Sequence, residues 1–437
     1  MFNSFFRLKE NGTNVKTEFL AGLTTFLTMV YIVIVNPIIL SSTGVPFNTV
    51  FIATIIAAVV GTLWMGLFAN YPIAIAPGMG LNAYFAFSVV GGQSGVSYQV
   101  AFGAVFIAGI LFIILSLTPF REKLIEAIPT NLKLGITAGI GLFIAFIGLR
   151  MTGIIVADKE NLVGLGNLHS PEVILALVGL IITLILMARN VPGALFFGMI
   201  ATAVIAIFTG QLEFGKMMET PAAPEFFIFG SPLQAIKDMI EYGLYAVIFS
   251  FLLVTLFDTT GTMVGVAEQA GLMKGKKMPR ARQALLADSV GTTIGAIFGT
   301  SPTSAYIESS SGVAAGGRTG LTSVVVAVLF IISAFFGPLV SSLSGLAAIT
   351  APTLIIVGSL MIGAVGKIDW SEFDEAFPAF LIILTMPLTA SIATGIALGF
   401  ITYPILKIVK GKGREVHPLL YLFAVLFFYQ LAFLPHA

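Results

Sequence analysis

Apolar runs of about 20 residues recur along the whole chain, separated by short polar stretches. A helix of that length crosses the hydrocarbon core of a bilayer. The pattern predicts an all-α polytopic membrane protein. Its predicted segments 1–14 are 17–40, 48–69, 72–90, 98–117, 132–150, 171–189, 193–210, 243–271, 283–299, 302–315, 319–343, 350–366, 376–389 and 391–409. The polar stretch 211–242 divides them seven and seven, and a last apolar run, 417–434, either spans or lies at the interface.

The two halves contain a matching stretch. GTLWMGLFANYP (61–72) aligns without gaps on GTTIGAIFGTSP (291–302), at an offset of 230 residues. Seven segments separate equivalent positions, and because seven is odd the halves must have opposite topology. The sequence therefore predicts two inverted repeats of seven segments, an arrangement common in secondary transporters.

Segments 3 and 10 occupy equivalent places in the two repeats, and both are poor continuous helices. PIAIAPGMGLN (72–82) is rich in Pro and Gly, and PTSAYIESSSG (302–312) is rich in Ser. Irregular backbone at membrane depth persists only where it is buried or lines a cavity. We expect a short extended piece followed by a half-helix in each segment, with a binding site between them near the bilayer midplane.

Composition excludes several functions. Only 10% of residues are charged, against about 25% in soluble proteins, and the net charge of +1 gives no field that favours nucleic acid. The chain has no cysteine, and His169, His417 and His436 lie in loops or near the C-terminus. We therefore expect no cofactor, no metal site and no enzymatic centre.

Basic residues predict the orientation. Every cluster of Lys and Arg follows an even number of segments, and such clusters mark cytoplasmic loops. We expect a cytoplasmic N-terminus in a cell inner membrane. The clusters comprise Arg7, Lys9, Lys16, Arg121, Lys123, Arg189, Lys274, Lys276, Lys277, Arg280, Arg282, Arg318, Lys407, Lys410, Lys412 and Arg414.

Two acidic side chains inside predicted segments have no basic partner nearby in the sequence. Asp258 belongs to a polar or small stripe on segment 8 that recurs every three or four residues, and Glu308 lies in the serine-rich segment 10. Ionised acids at membrane depth face a cavity or a partner, and burial favours the neutral form of a carboxyl group. Such a pair can accept N–H donors from a flat neutral heterocycle and can carry a proton.

Two further polar residues each fit two different roles. Asp288 in segment 9 is a gating or packing acid, or a cap at the entry of its segment. Asn82 ends the glycine-rich part of segment 3, where it caps a helix or contacts the ligand.

These motifs resemble the xanthine/uracil permease (nucleobase–ascorbate transporter) family, in its guanine/hypoxanthine/adenine permease branch. The resemblance runs from about residue 3 to 410. It is carried by VNPIIL (35–40), NYPIAIAPGMGLNAYF (70–85), LFDTTGTMVGVAEQAGL (256–272) and LADSVGTTIGAIFGTSPTSAYIESSSGVAAGGRTGLTS (286–323).

The resemblance implies a division of the chain into a core domain and a gate domain, with substrate between the half-helices. The core comprises 17–130 and 243–346, and the gate comprises 131–210 and 347–410. The N-terminus (1–16), the connector (211–242) and the C-terminal segment (411–437) complete the chain. Many family members are proton symporters, some are homodimers, and transport moves the core against the gate like an elevator.

The resemblance also assigns residues. Asp258, Glu308 and Asn82 match positions that bind the base, and Asp288 matches an acid tied to transport. Glu308, Asp258 and Asp288 are the expected proton-coupling groups. Weaker substrate-binding assignments fall on Gly80, Thr259, Thr262, Tyr306 and Ser309.

The chain departs from uracil and xanthine carriers in ways that favour a larger base. Asp258 replaces their usual Glu in segment 8, Thr262 replaces the His found one turn later in many of them, and a Gln-His pair in segment 1 is absent. We expect a proton-coupled purine-base importer, with guanine and hypoxanthine favoured and adenine as the alternative. A second alternative is an anion carrier of similar fold, which two acids in the site disfavour.

Overall fold

The computed structural model describes residues 2–91, 96–118, 127–160, 162–213, 215–274 and 278–433. Nine helices within these ranges are long and apolar enough to cross a membrane. The prediction of a helical polytopic membrane protein is therefore confirmed, while the count of fourteen segments and their inverted relation stay predictions. Five residues of the sequence argument, Arg121, Lys123, Lys276, Lys277 and His436, lie outside the described ranges.

Most predicted segments are continuous helices. Segments 2 and 4–9 correspond to Phe47–Trp64, Tyr98–Leu117, Thr130–Met151, Pro171–Ala188, Ala194–Phe208, Tyr245–Gln269 and Ala281–Phe298. Segments 12–14 correspond to Ala347–Ile362, Phe373–Thr389 and Ile392–Val409. Segment 1 consists of Val15–Met29 and Ile32–Ser41, and segment 11 consists of Gly320–Ser333 and Gly337–Ser344.

Segments 3 and 10 are broken, as their Pro, Gly and Ser content predicts. Segment 3 begins with strand β1 (Ile75–Pro77), and segment 10 with strand β4 (Thr303–Ala305). The helices Met79–Ala83 and Ser309–Ala314 follow these strands. Beyond Ala83 the backbone continues in wider π-type turns to Val90.

Four elements outside the broken segments, two strands and two helices, were not predicted. Strands β2 (Ile155–Asp158) and β3 (Leu162–Leu165) form an exposed antiparallel hairpin after segment 5. The polar connector contains the helix Pro232–Glu241. A short N-terminal helix, Phe2–Phe5, precedes segment 1.

The final apolar run forms the helix Pro418–Phe433, which packs on segment 14. Its Phe423 and Phe427 contact both Phe249 of segment 8 and Phe400 of segment 14. This aromatic cluster ties the end of the chain to two segments that the resemblance places in different domains.

Helix packing falls into two groups. Segment 9 packs against segments 2 and 4, and segment 11 packs against segment 1. Segment 5 packs against segments 12 and 13, and segment 6 packs against segments 7 and 12. Small residues allow the close approaches, because a Cβ added at Gly291 would lie 3.4 Å from the Cα of Gly61.

A fully buried carboxylate holds segment 11 against segment 1. Glu18 accepts hydrogen bonds from the backbone N–H groups of Arg318, Thr319 and Thr322 at 2.9, 3.3 and 3.2 Å. The Thr322 hydroxyl donates a fourth at 2.6 Å. Free N–H groups at a helix start, with the positive end of the helix dipole, stabilise a negative charge there.

A second buried charge cluster joins segments 13 and 14. The Lys407 ammonium lies 2.7 Å from a carboxylate oxygen of Asp374 and 2.6 Å from one of Glu375. Glu375 also accepts hydrogen bonds from the Tyr403 hydroxyl at 2.8 Å and the Asn131 amide at 2.9 Å. The cluster therefore fixes segment 5 to segments 13 and 14.

Asp374 is the anchor of this charge cluster. Burial alone would raise the pKa of Asp374, but hydrogen bonds from Lys407 and Lys410 hold it well below its usual range. A carboxyl whose pKa is depressed on folding contributes stability at neutral pH, and that contribution is lost only as the pH falls.

We predict that Lys407→Met lowers the free energy of unfolding by about 3–5 kcal/mol, because it leaves buried carboxylates short of a counter-charge. Lys412→Met is the matched control. Its ammonium lies 3.6 Å from Glu372 with both side chains over a third exposed, and exposed pairs contribute about 0–1 kcal/mol. The apparent melting temperature of the purified protein in detergent measures the difference. Equal losses in the two variants would contradict a stabilising role for the buried cluster.

Candidate functional site

Strands β1 and β4 form the centre of the site. They pair antiparallel, with Ile75 opposite Ala305, Ala76 opposite Ser304 and Pro77 opposite Thr303. The pairing continues at both ends, where Gly78 N–H donates to Pro302 at 2.9 Å and Tyr306 N–H donates to Ala74 at 3.0 Å. The broken backbones thereby satisfy each other within the apolar interior.

Side chains complete this crossing of the two strands. The Thr62 hydroxyl accepts from the N–H of Ile75 at 3.0 Å and donates to its carbonyl at 2.9 Å. Ser309 accepts from the N–H of Ala74 at 3.0 Å and is fully buried. The structure therefore places Ser309, an expected substrate contact, in the framework of the crossing.

Asp258 lies half-buried on segment 8, beside the crossing. Strand β4 packs against segment 8 here, and the Ser304 hydroxyl lies near the Asp258 carboxylate. Asp258 borders a small cavity together with Phe257 and Gly80, across from Ile140 of segment 5 and Met361 of segment 12. The acid on segment 8 thus faces the boundary between the two helix groups.

Glu308 immediately precedes the half-helix Ser309–Ala314. The Tyr31 hydroxyl donates to its Oε1 at 2.6 Å, and the Thr28 hydroxyl donates to its carbonyl at 3.4 Å. Both partners belong to segment 1, so this segment fixes the orientation of the carboxylate. Tyr31 is almost completely buried.

The two predicted acids lie on neighbouring elements. The half-helix that Glu308 immediately precedes contacts segment 8, which carries Asp258, and the two carboxylates are within electrostatic range of each other. Among the described residues neither forms an ion pair with Lys, Arg or His. No group of three or more His, Cys, Asp or Glu side chains in the same ranges could hold a metal ion. The pair is thus available to hydrogen-bond a polar ligand and to take up a proton.

Asp288 lies behind the crossing and is completely buried. Its carboxylate accepts from the hydroxyls of Thr259 at 2.6 Å and Thr303 at 2.7 Å. Thr259, an expected substrate contact, is also fully buried and is turned towards Asp288. This network joins segments 8, 9 and 10.

Asn82 belongs to a second buried network. Its amide donates to Asn36 at 3.0 Å, and the Asn36 amide donates to Thr54 at 2.7 Å and Thr300 at 2.8 Å. Asn36 is the asparagine of the VNPIIL motif. The Asn82 Oδ1 has no hydrogen-bond partner within the described part of the chain. Asn82 therefore both supports the framework and retains one acceptor atom.

The remaining expected contacts divide between cavity and framework. Gly80 lines the cavity, and a Cβ added there would lie 2.4 Å from Ile140 of segment 5. The Tyr306 hydroxyl donates to the carbonyl of Pro77 and locks β1 to segment 10. Thr262, one turn beyond Asp258, is half-buried.

Sequence reasoning missed Tyr31, Ser304 and Phe257 as part of the site. A signal for Tyr31 exists, since it is the polar-tipped residue within the apolar run TMVYIVIV. Ser304 lies within the quoted serine-rich stretch, but nothing local shows that its hydroxyl reaches segment 8. Phe257 is one apolar residue among many, and only its contact with the cavity distinguishes it.

The cavity beside Asp258 has a volume of about 20 Å³. A buried water needs about 10–15 Å³ on this measure, and pockets that hold small molecules have volumes of roughly 300–1,000 Å³. The cavity in this arrangement of the segments is therefore too small to hold a heterocycle.

Comparison with known proteins gives relatives over nearly the full length. The chain is 69% identical over 428 residues to guanine/hypoxanthine permease PbuO of Bacillus subtilis, covering 98% of this chain and 99% of that protein. It is 44% identical to adenine permease AdeP of Escherichia coli, covering 99% and 96% of the two chains.

Among solved structures, the transmembrane domain of the cyanobacterial bicarbonate transporter BicA superposes with a TM-score of 0.65 at 18% identity, covering 87% of this chain and 97% of that one. At this identity the likeness concerns the fold alone. The family model Xan_ur_permease, described as "Permease family", matches residues 16–398 and confirms the resemblance drawn from the motifs. The chain belongs to the Xan_ur_permease family of permeases.

Proposed function

We propose that this protein is a proton-coupled symporter that imports purine nucleobases, with guanine and hypoxanthine favoured, across the cytoplasmic membrane. The observation that carries the proposal is the placement of Asp258 and Glu308 beside the crossing of two broken segments, where neither carboxylate forms an ion pair with any described residue. The relative that is 69% identical is named a guanine/hypoxanthine permease, which supports the choice of substrate.

Glu308 suits the hydrogen-bonding edge of these bases. Guanine and hypoxanthine present an N1–H donor, and guanine adds a 2-amino group. Tyr31 occupies Oε1 of Glu308, so Oε2 is the oxygen offered to N1–H. A charge-assisted hydrogen bond of this kind is stronger than one between neutral groups. Adenine lacks N1–H and would need a protonated acid or its 6-amino group as donor.

Proton coupling follows from the same two acids. Two buried carboxyl groups that interact electrostatically do not both ionise readily, so a state in which one of the two carries a proton is favoured. If the base binds tightly only when Asp258 or Glu308 carries that proton, base and proton cross together. Asp288 contributes indirectly, because its bonds to Thr259 and Thr303 set the positions of segments 8 and 10.

Alternating access is proposed to move a core (17–130 and 243–346) against a gate (131–210 and 347–410). The packing of segments 9 and 11 on segments 2, 4 and 1, and of segment 5 on segments 12 and 13, supports this division. The cavity of about 20 Å³ between the two groups supports a mechanism in which they separate to admit the base. Residues 1–16, 211–242 and 411–437 lie outside both domains in this scheme.

The proposed inverted repeat agrees with the register at the crossing. Ile75 and Ala305 are separated by the 230-residue offset of the sequence match, and they lie directly opposite each other. Gly61 and Gly291, another matched pair, approach so closely that a Cβ added at Gly291 would lie 3.4 Å from the Cα of Gly61. A two-fold axis through the crossing would produce both pairings.

Two alternative functions are each supported by a specific observation. The 44% identical relative is named an adenine permease, which favours adenine as the second candidate substrate. The fold likeness to a bicarbonate transporter makes an anion carrier the other candidate, but two negatively charged carboxylates beside the crossing would repel an anion. We further propose that the protein crosses the inner membrane several times with its N-terminus in the cytoplasm, and that two copies can form a homodimer.

Uptake of radiolabelled hypoxanthine tests the proposal directly. In cells without their own purine permeases, we predict uptake that unlabelled guanine blocks and a protonophore abolishes. Inhibition by adenine alone would identify the protein as an adenine permease. Bicarbonate flux that purines do not change would contradict a nucleobase carrier.

We predict that Glu308→Gln abolishes uptake while the protein still reaches the membrane, because Gln cannot accept from N1–H with a full negative charge. Tyr31→Phe should weaken apparent affinity about tenfold or more, since a hydrogen bond to a charged group contributes about 1.5–3 kcal/mol. Glu268→Gln, an exposed acid on segment 8, serves as the control and should transport normally. Near-normal uptake by Glu308→Gln would refute its central role.

Asp258→Asn and Asp288→Asn should distinguish binding of the base from its transport across the membrane. We predict that Asp258→Asn loses base binding or changes the competition profile, because Asp258 borders the cavity. Asp288→Asn should keep base binding and slow transport, because the contacts named above join the Asp288 carboxylate to Thr259 and Thr303 of the framework. Stabilisation of the purified variants by hypoxanthine measures binding, and initial uptake rates measure transport. Loss of hypoxanthine binding in Asp288→Asn would show that its role is misassigned.

A further inference from the structure

A large apolar crevice lies apart from the substrate site, between segments 1, 7 and 11. Its volume is about 450 Å³. Val30 and Val33 of segment 1, Met199 and Ala203 of segment 7, and Leu329 and Val340 from segment 11 form much of its wall. Segments 1 and 11 pack on each other in one helix group, and segment 7 belongs to the other.

The lining restricts what can occupy the crevice. Its only hydroxyl, that of Ser333, donates to the carbonyl of Phe330 at 2.7 Å within its own helix. No lining side chain therefore has a hydrogen-bond donor left for water or for a nucleobase. Apolar cavities stay dry and bind apolar molecules, so a hydrocarbon fits this wall.

The crevice is continuous with the surface that faces the bilayer. Val30, Val33 and Met199 at its back are at most 5% exposed, whereas Ile200 and Ile332 on its rim are 40% and 49% exposed. All these residues lie within segments predicted to cross the membrane. Bilayer hydrocarbon therefore reaches the mouth of the crevice directly.

We propose that the crevice binds one acyl chain of a membrane phospholipid. A protein helix is a poorer occupant, because helices associate in membranes through small residues that allow close approach, and the rim presents Ile200, Val204, Ile207 and Ile332. The crevice lies in the halves of segments 1 and 11 nearer their C-terminal ends. In the predicted orientation these halves lie in the outer leaflet, which supplies the lipid.

The acyl chain has a consequence for transport that rests on the proposed function. If segment 7 moves against segments 1 and 11, the facing apolar walls change their separation. A flexible chain can adjust to that change, whereas side chains packed wall to wall would have to lose contacts. The bound chain then keeps the boundary filled in more than one arrangement of the two helix groups.

Bromine quenching of tryptophan fluorescence tests the site without depending on transport. Trp64 and Trp370 are replaced by Phe, and single reporters are introduced as Phe26→Trp in the crevice, Phe335→Trp on the exposed surface and Phe143→Trp in the buried interior. Vesicles contain phosphatidylcholine brominated along one acyl chain. We expect Phe26→Trp to be quenched nearly as strongly as Phe335→Trp, and Phe143→Trp far less.

Filling the crevice with a larger side chain provides the matched comparison for the quenching experiment. Adding Ala203→Phe to the Phe26→Trp reporter should remove most of its quenching, while Val328→Phe, on the exposed face of segment 11 outside the crevice, should leave it unchanged. Val33→Phe fills the same space from segment 1 if Ala203→Phe fails to fold. Quenching of Phe26→Trp no greater than that of Phe143→Trp would overturn the proposal. If Phe26→Trp is quenched only after the protein is diluted with excess lipid, a second copy of the protein fills the crevice at higher protein density. That result would also overturn the proposal.

Discussion

Two backbones that are not helical at membrane depth must satisfy their hydrogen bonds, and the rest of the structure depends on how they do so. An unsatisfied N–H or C=O group in hydrocarbon destabilises the structure by several kcal/mol. Strands β1 and β4 resolve this by pairing with each other, with Thr62 and Ser309 at their margins. Once the strands are paired, Ser304 and Glu308 are carried to fixed places beside segments 8 and 1.

The same requirement explains why so many polar residues near the site do not face the cavity. Thr259 and Asp288 are bonded to each other and to β4, and the Tyr306 hydroxyl is bonded to segment 3. In the proposed site, Asp258 and Glu308 are the acids left to contact a ligand. On that proposal the family motifs combine ligand contacts with the bonds that hold the broken segments, and a motif match alone does not separate the two.

Much of this could be predicted from the sequence, because bilayer thickness, proline and glycine act locally. Apolar run lengths predicted the helical segments, and the composition of 72–82 and 302–312 predicted the two breaks. The bond from Tyr31 to Glu308 and the pairing of Lys407 with Asp374 could not be predicted. Each joins residues far apart in the chain, so only the packing of helices brings them together. The hairpin β2–β3 was missed because its short, exposed strands carry no alternating pattern.

The strand pairing has a consequence for biosynthesis. Ile75 and Ala305 are partners separated by 230 residues, and ribosomes add about 5–20 residues per second. The first strand therefore enters the membrane roughly 12–46 s before its partner exists. During that interval its N–H and C=O groups need a temporary polar environment, which an insertion factor or a retained water-filled vestibule could supply. Membrane insertion of the first half would then be completed only when the second half arrives.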